Sequence, residues 1–285
     1  MVRVVQEAPS DFSACEILIA LHAIKTGEAI EQFRRVHPHR PVLVVLTGTD
    51  FFQPGARQAV LERSLASADR ILVLQNHLAS QIPAEMQDRV RVIFQSFAPP
   101  AVEAHPNPDC FEVCVLGHLR AVKDPLLAAR ASRLLPARSR IRITQVGGAL
   151  EPEQAHLAQV EQGLNPRYRW LGELPRTEAI RVLARCRVLV QSSLAEGGPS
   201  AVSEAVALGI PVLSTPTSGV VGLLGPDHPG LFPFSDEEAL ARLLGRMETD
   251  VAFHQTVVSA TLQAQPLVRP EREALAWRLL LKEFC

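Results

Sequence analysis

The sequence predicts an α/β protein made of two consecutive doubly wound domains. Short apolar runs alternate with longer helical patterns along the whole 285-residue chain, and this order of strands and helices indicates parallel sheets covered by helices. The apolar runs are continuous rather than alternating, which is typical of strands buried on both faces. The length exceeds the usual ~100–200 residues of one domain, and this favours two domains.

The first domain is predicted from four strand-like runs with helical patterns between them. The runs are residues 15–23, 40–48, 69–75 and 89–96, and two of the helical patterns are residues 26–37 and 54–68. The Pro-rich stretch 97–109 then interrupts the pattern, because clustered prolines suit neither strand nor helix. We therefore place an interdomain linker there.

The second domain is predicted because the same alternation then restarts. The strand-like runs are 111–119, 140–148, 168–174, 186–193, 210–216 and 230–234, and the helical patterns are 124–135, 151–163, 176–186, 199–209, 236–248 and 270–284. The predicted boundaries are 1–100 for the N-terminal domain, 101–110 for the linker, 111–268 for the C-terminal domain and 269–285 for a final helix.

Composition excludes several function classes. The formal net charge is −1, from 29 basic and 30 acidic residues. The chain therefore lacks the overall positive charge that is typical of proteins that bind nucleic acid or an anionic membrane. The start of the chain has no signal-peptide pattern, and no apolar run is long enough to span a membrane. The five cysteines form no C-x-x-C pair, which predicts a reduced, cytoplasmic protein. His37 and His39 have no third ligand nearby, so no metal site is expected.

The stretch "SSLAEGGPSAVSEAVALGIPVL" (192–213) is the most informative motif. It runs from a strand end through a Gly-Gly-Pro turn into a helix, and doubly wound folds bind ligands at strand ends of this kind. Pro199 suits the first position of a helix, and the N–H groups at a helix start can bind a phosphate. Gly197 and Gly198 allow a tight turn and a close approach by a ligand.

Two glutamates bracket this turn with seven residues between them. Glu204 lies five residues past Pro199, or about 7–8 Å along the helix, where a carboxylate can accept two hydrogen bonds from a ribose diol. Glu196, on the loop before the turn, is expected to point into the cleft where the sugar of such a ligand would lie. The motif therefore fits a nucleoside diphosphate sugar, and the alternative is two solvated glutamates around an ordinary loop.

A second motif, "VLGHLRAVKDP" (115–125), follows the first strand of the second domain. His118, Arg120 and Lys123 lie in the loop toward the next helix. Cations at a strand end can stabilise the charge on a departing diphosphate, and a solvated basic loop is the alternative.

Together these motifs resemble the donor-binding domain of GT-B glycosyltransferases of the family 4 type. The similarity rests on "VLGHLRAVKDP", "ITQVGGAL", "YRWLGEL" and the stretch with two glutamates, and "DRILVLQ…RVRVIFQS" extends it to the first domain. The resemblance implies a GT-B fold, with two Rossmann-like domains facing a cleft and a C-terminal helix that crosses back to the first domain.

Within that group the chain is most similar to the selenosugar synthases of selenoneine biosynthesis. The residues that carry this similarity are "LIALHA", "VLTGTD", "FEVCVLGHLRAVKDP", "NPRYRWLGELPR" and "SGVVGLLGPDHPGLFP". It implies a UDP-sugar donor, UDP-N-acetylglucosamine, and selenophosphate as the small anionic acceptor. It also implies a hexosyl transfer that needs neither a bound metal nor a further cofactor.

The resemblance assigns roles to individual residues. The residues implied in catalysis are Glu196, Lys123 and His22. Those implied in donor binding are His118, Arg120, Gly197, Gly198, Glu204 and Asp50, with Glu204 on the ribose hydroxyls.

Two departures from the family pattern stand out. His118 occupies the position where the family usually has arginine, and it would make binding depend on pH. The chain also opens at what resembles the second strand, so we expect the first strand and its Gly-rich loop to be missing. The missing strand leaves open a non-catalytic nucleotide-binding protein as one alternative. A GT-B sugar-nucleotide epimerase, which would use the same cleft for another reaction, is a second alternative.

Overall fold

The structure, a computed structural model, describes residues 4–5, 12–52, 55–101 and 106–284. These residues group into two compact units. The first unit spans Met1–Phe94, Glu196–Gly198 and Ala274–Cys285, and the second spans Gln95–Ala195 and Pro199–Glu273. Within the described ranges, the helices are too short or too polar to cross a membrane.

The first unit contains a four-stranded parallel sheet whose spatial order follows the chain. Its strands are β1 (Leu18–Leu21), β2 (Val42–Leu46), β3 (Arg70–Val73) and β4 (Val90–Val92). All five residues of β2 are buried, because helices cover both faces of this inner strand.

The helices that follow these strands are short. They are α1 (Gly27–Val36), α2 (Thr49–Phe52), α3 (Gln58–Ala66) and α4 (Asn76–Ala79). Ile30 and Phe33 of α1 pack against Val44 and Leu46 of β2 and form the centre of this unit's core.

The second unit contains a five-stranded parallel sheet in the order β7-β6-β5-β8-β9. Its strands are β5 (Phe111–Leu116), β6 (Ile141–Val146), β7 (Tyr168–Trp170), β8 (Val188–Gln191) and β9 (Val212–Ser214). The chain winds outward from β5 on one side and from β8 on the other. The strand order therefore reverses between β5 and β8, and doubly wound folds bind ligands outside the carboxyl ends of strands at such a point.

Seven helices cover this sheet among the described residues. They are α5 (Leu127–Arg133), α6 (Pro152–Leu164), α7 (Arg176–Arg185), α8 (Ser200–Leu208), α9 (Ser218–Leu224), α10 (Glu237–Thr249) and α11 (Val251–Gln263). Leu240 and Leu244 of α10 pack with Leu127 of α5 in the larger of the two main cores.

The last helix, α12 (Pro270–Leu281), returns to the first unit. Leu280 is buried against Leu43 and Val45 of β2, and Glu283 beyond the helix pairs with Arg70 and Arg91. The two parallel sheets, of which the second is doubly wound, and this returning helix confirm the predicted α/β, GT-B fold class.

The structure differs from the sequence prediction in several elements. Residues 230–234 form no strand, since Leu231 makes one isolated bridge to Ser214. Helices α9 and α11 were not among the predicted elements, and α8 begins at Ser200, so Pro199 precedes the helix. The predicted resemblance of residues 2–7 to a second strand falls largely on residues outside the described ranges.

Candidate functional site

The ends of β5, β6 and β8 and the loops after β5 and β8 line a small pocket at the reversal point of the second sheet. Its lining includes Gly117, His118, Lys123, Gln145 and Ser192. Three of these residues, Gly117, His118 and Lys123, belong to the motif of residues 115–125. The pocket therefore lies where the strand pattern predicts a ligand.

Close backbone contact holds the loops after β5 and β6 together. A Cβ atom at Gly147 would lie 2.1 Å from the carbonyl oxygen of Gly117, and Gly147 has a φ of +145°, so only glycine fits there. The N–H of Leu119 donates to the oxygen of Gly148 at 2.9 Å. These contacts fix the backbone on which His118 is carried, with its side chain exposed.

Lys123 ends a one-turn 3₁₀ helix, residues 121–123, that begins directly after Arg120. The loop after β8 fastens this turn, because the Ser192 hydroxyl donates to the oxygen of Asp124 at 2.8 Å. The N–H of Leu194 donates to the oxygen of Val122 at 2.8 Å. Lys123 is thus half-buried and held beside β8, whereas Arg120 does not line the pocket.

Two buried glutamines on strands β6 and β8 also face this pocket. Gln191 donates from Nε2 to the Ser193 hydroxyl at 2.8 Å. Gln145 donates from Nε2 to the oxygen of Gly117 at 3.3 Å, while its Oε1 has no hydrogen-bond partner among the described residues. Neither glutamine is among the site residues predicted from the sequence, although a glutamine at the end of an apolar strand is a usable signal.

Glu204 is the fifth residue of α8 and is 5% exposed. The start of this helix has no side-chain cap and no acidic residue in its first turn, so its N–H groups remain suited to an anion. Burial raises the pKa of the Glu204 carboxyl, and the charge of Arg176 opposes that rise. The second glutamate of the motif is therefore a buried, partnered carboxylate and not a solvated one.

Arg176 is the first residue of α7, and the sequence analysis did not select it. Its Nη2 lies 2.7 Å from Oε1 of Glu204, and its guanidinium lies over the ring of Phe97 at 5.5 Å from the ring centroid. A signal was present in the sequence, because a basic residue at a helix start is unfavourable with respect to the helix dipole. An ion pair with a residue of another element can compensate for this unfavourable position.

In the first unit, His22 follows β1 with a left-handed φ of 74°. Its Nδ1 accepts from the N–H of Lys25 at 3.3 Å and lies 3.8 Å from Oδ2 of Asp50. Burial lowers the pKa of the His22 imidazole, and the charge of Asp50 opposes this. The neutral ring is therefore favoured near neutral pH.

Asp50 has a different position from the one expected on the rim. Its side chain is completely buried, and its carboxylate accepts from the N–H groups of Ala23 at 2.9 Å, Thr47 at 3.0 Å and Gly48 at 2.8 Å. These bonds tie together the loops that follow β1 and β2. Asp50 therefore orders the backbone around His22, and the structure does not place it at a donor-facing surface.

Glu196, Gly197 and Gly198 group with the first unit. A Cβ atom at Gly197 would lie 2.4 Å from the Cα of Gly48, so glycine is required there by a neighbouring backbone. Glu196 is half-buried.

Comparison with known proteins places the second unit in a family. A sequence model of the family described as glycosyl transferases group 1 matches residues 102–260, a range that contains Lys123, Arg176 and Glu204. The chain belongs to this family.

A relative and two solved structures extend the comparison. The chain is 29% identical over 144 residues to glycosyltransferase 1 domain-containing protein 1 of Xenopus tropicalis, a match that covers 50% of this chain and 41% of that protein. The chain thus spans less than half the length of this curated relative.

The solved structures share the fold. Anabaena HepE in complex with UDP has a TM-score of 0.73 at 17% identity, with 94% of this chain and 78% of that chain covered. Sucrose-phosphate synthase from Thermosynechococcus elongatus has a TM-score of 0.78 at 19% identity, covering 94% and 73%. Both likenesses support the GT-B fold that the sequence resemblance implied.

Proposed function

We propose that this member of the family is a glycosyltransferase that binds a UDP-sugar and transfers its sugar to a small anionic acceptor. The observation that carries the proposal is the buried carboxylate of Glu204 on α8, a helix with an uncapped start that follows β8 at the reversal point of the sheet. Lys123, after the neighbouring strand β5, supplies a cation at the same edge. The UDP complex of HepE supports the choice of nucleotide.

Each group in the second unit has a chemical task in this proposal. Glu204 accepts hydrogen bonds from the ribose diol, while Lys123 and the first N–H groups of α8 stabilise the charge that develops on the departing diphosphate. His118 and Arg120 are further donor-binding residues in the loop after β5. The proposal includes no bound metal and no cofactor besides the donor.

The proposed sugar-facing groups are His22 and Glu196, with Gly197 and Gly198 as backbone contacts. The lowered pKa of His22 favours a neutral imidazole, which can exchange hydrogen bonds with sugar hydroxyls without adding a charge. Asp50 contributes indirectly, because it orders the loop that carries His22.

For the acceptor we propose selenophosphate, with UDP-N-acetylglucosamine as the donor. The support is the resemblance of the sequence to selenosugar synthases. In this step the selenium forms a bond to the anomeric carbon while the bond from that carbon to the diphosphate oxygen breaks, and UDP leaves.

The nucleotide part of the proposal is tested by Glu204→Ala. We expect this variant to bind UDP at least about tenfold more weakly in calorimetry, because the diol loses a charged acceptor. Glu178→Ala is the matched control, since Glu178 pairs with Arg181 on an exposed helix face. Equal UDP affinity in the wild type and Glu204→Ala would contradict the proposal.

The acceptor part is tested by UDP release from UDP-N-acetylglucosamine with and without selenophosphate. We expect release that depends on selenophosphate, together with a sugar product containing selenium. Equal release in both reactions would indicate another acceptor or donor hydrolysis. A changed nucleotide sugar without net UDP would indicate an epimerase, and UDP binding without turnover would indicate a non-catalytic nucleotide-binding protein.

A further inference from the structure

We propose that Arg176 is a positioning residue that holds the Glu204 carboxylate in the orientation in which it receives the nucleotide's ribose diol. This inference rests on the proposed function, since it concerns how the same carboxylate is prepared for its ligand.

The geometry gives each carboxylate oxygen a separate task. Arg176 Nη2 lies 2.7 Å from Oε1 of Glu204, within the range of a charge-assisted hydrogen bond. Among the described residues, Arg176 is the partner found for this carboxylate. An ionised carboxylate has about four acceptor positions, so Oε2 and the remaining lone pair of Oε1 stay suited to a diol.

The guanidinium is itself held from a second side. Its carbon lies 5.5 Å from the centroid of the Phe97 ring, a favourable distance for a cation over an aromatic face. Phe97 is 8% exposed, and its N–H donates to the oxygen of Val268 at 3.0 Å. The ring is therefore a fixed platform, and an arginine that is 71% exposed acquires a defined orientation.

The position of Arg176 in its own helix does not account for its presence. Arg176 is the first residue of α7, where its positive charge opposes the helix dipole and is locally unfavourable. The buried carboxylate on the neighbouring helix offsets this cost, and a glutamine or serine at this position would be better for α7 alone.

Other charged groups around Glu204 are directed elsewhere. On α7, Glu178 pairs with Arg181, and Arg185 pairs with Glu112. The remaining packed elements, β8, β9 and residues 265–268, carry no charged side chain. Arg176 is therefore the group whose charge offsets the burial of this carboxylate.

The consequence is a testable dependence on pH. Burial raises the pKa of Glu204 and Arg176 lowers it, so removal of the arginine raises that pKa further. A protonated carboxyl is a poorer acceptor, so affinity that depends on the carboxylate is present above this pKa and is lost as the pH falls through it. Without Arg176, the loss begins at a higher pH.

The experiment measures UDP affinity by calorimetry between about pH 5 and pH 8 for the wild type, Arg176→Gln, Arg176→Lys and Arg181→Gln. We expect Arg176→Gln to bind about tenfold more weakly near neutral pH and its affinity loss to move to higher pH. Arg176→Lys keeps the charge, so its pH profile should stay close to that of the wild type. Arg181→Gln, on the same helix, should match the wild type in both respects.

A second ligand separates positioning from a merely structural role. With 2′,3′-dideoxy-UDP, which lacks the diol, Arg176→Gln and the wild type should bind equally. The inference is overturned if Arg176→Gln binds UDP at least as tightly as the wild type and has an unchanged pH profile. It is also overturned if the substitution weakens binding of the dideoxy ligand by the same factor as binding of UDP. If Arg176→Gln does not fold, Arg176→Lys provides the test. The inference is then overturned if Arg176→Lys loses its UDP affinity at a higher pH than the wild type does. Wild-type protein that does not bind UDP would instead contradict the proposed function itself.

Discussion

At the residue scale, His228 is a buried histidine with both ring nitrogens engaged. Nδ1 accepts from the N–H of Gly230 at 3.2 Å, and Nε2 lies 3.1 Å from the Thr261 hydroxyl oxygen. These partners fit the neutral ring, with the proton on Nε2. Burial lowers the pKa of His228 from 6.5 to about 4.

This shift predicts that His228 makes folding sensitive to acid. The unfolded chain takes up the proton near pH 6.5 and the folded chain near pH 4, so stability is complete above about pH 6.5 and falls by about 3 kcal/mol toward pH 4. We expect His228→Gln to flatten the pH dependence of the free energy of unfolding in this window. The measurement is urea unfolding at several pH values, and identical slopes for the two proteins would contradict the prediction.

The same scale shows which site residues a sequence can reveal. Lys123 and Glu204 could be selected because their motifs follow predicted strands. Asp50 looked equivalent to them, yet the backbone N–H groups around it capture its carboxylate. Sequence position places a carboxylate near a strand end but does not say whether its oxygens face a ligand or a loop.

Arg176 and Gln145 escaped selection for a related reason. Their importance depends on a partner distant in sequence, Glu204 for the arginine and Gly117 for the glutamine. Tertiary contacts of this kind leave only a weak local mark, such as a basic residue at a helix start.

At the element scale, α10 illustrates how a cap specifies a helix start. Asp236 precedes the helix, and its carboxylate accepts from the N–H of Ala239 at 2.7 Å. Leu240 and Leu244 then carry the helix into the core.

We expect Asp236→Ala to lower the free energy of unfolding by about 1 kcal/mol, because one N–H of the first turn loses its acceptor. Asp236→Asn keeps an acceptor and should stay close to the wild type. Chemical denaturation of the three proteins is the measurement, and an equal loss in both variants would exclude the cap as the cause.

Element prediction succeeded where hydrophobic pattern and length agreed. The nine strands of the two sheets coincide with predicted runs, because buried parallel strands are continuous and apolar. Helix α11 was missed because it contains several β-branched residues, such as Val257, Val258 and Thr261, which have a low helix propensity. Its start at Asp250, whose carboxylate accepts from the N–H of Phe253, was the available signal. Residues 230–234 misled in the opposite direction, because an apolar run between prolines resembles a strand.

At the scale of the whole molecule, the described residues form two compact units, and each unit contains one of the chain's two tryptophans. Trp170 donates from Nε1 to the oxygen of Gly147 at 2.8 Å in the second unit. Trp277 of α12 packs on the first sheet near Leu280. Fluorescence can therefore report on each unit separately.

We expect Leu280→Ala to destabilise the first unit by about 3 kcal/mol, because a leucine that is 3% exposed leaves a cavity. Combined with Trp170→Phe, it should lower the unfolding midpoint reported by Trp277. In a protein that also carries Trp277→Phe, Leu280→Ala should leave the unfolding midpoint reported by Trp170 nearly unchanged.

The matched control is Leu279→Ala, since Leu279 is 58% exposed on the same helix and should change stability little. Equal shifts of both tryptophan signals in Leu280→Ala would mean that the two units unfold as one cooperative body.

The return of α12 to the first sheet also fixes how the molecule would bear a mechanical load. Residues near both ends of the described chain belong to the first unit, and residues 95–195 and 199–273 form the second unit between them. Tension applied at β1 and at α12 is carried first by the strands and side chains of the first unit. The second unit, with Glu204 and its arginine, enters the path of the force after α12 has been pulled from the sheet.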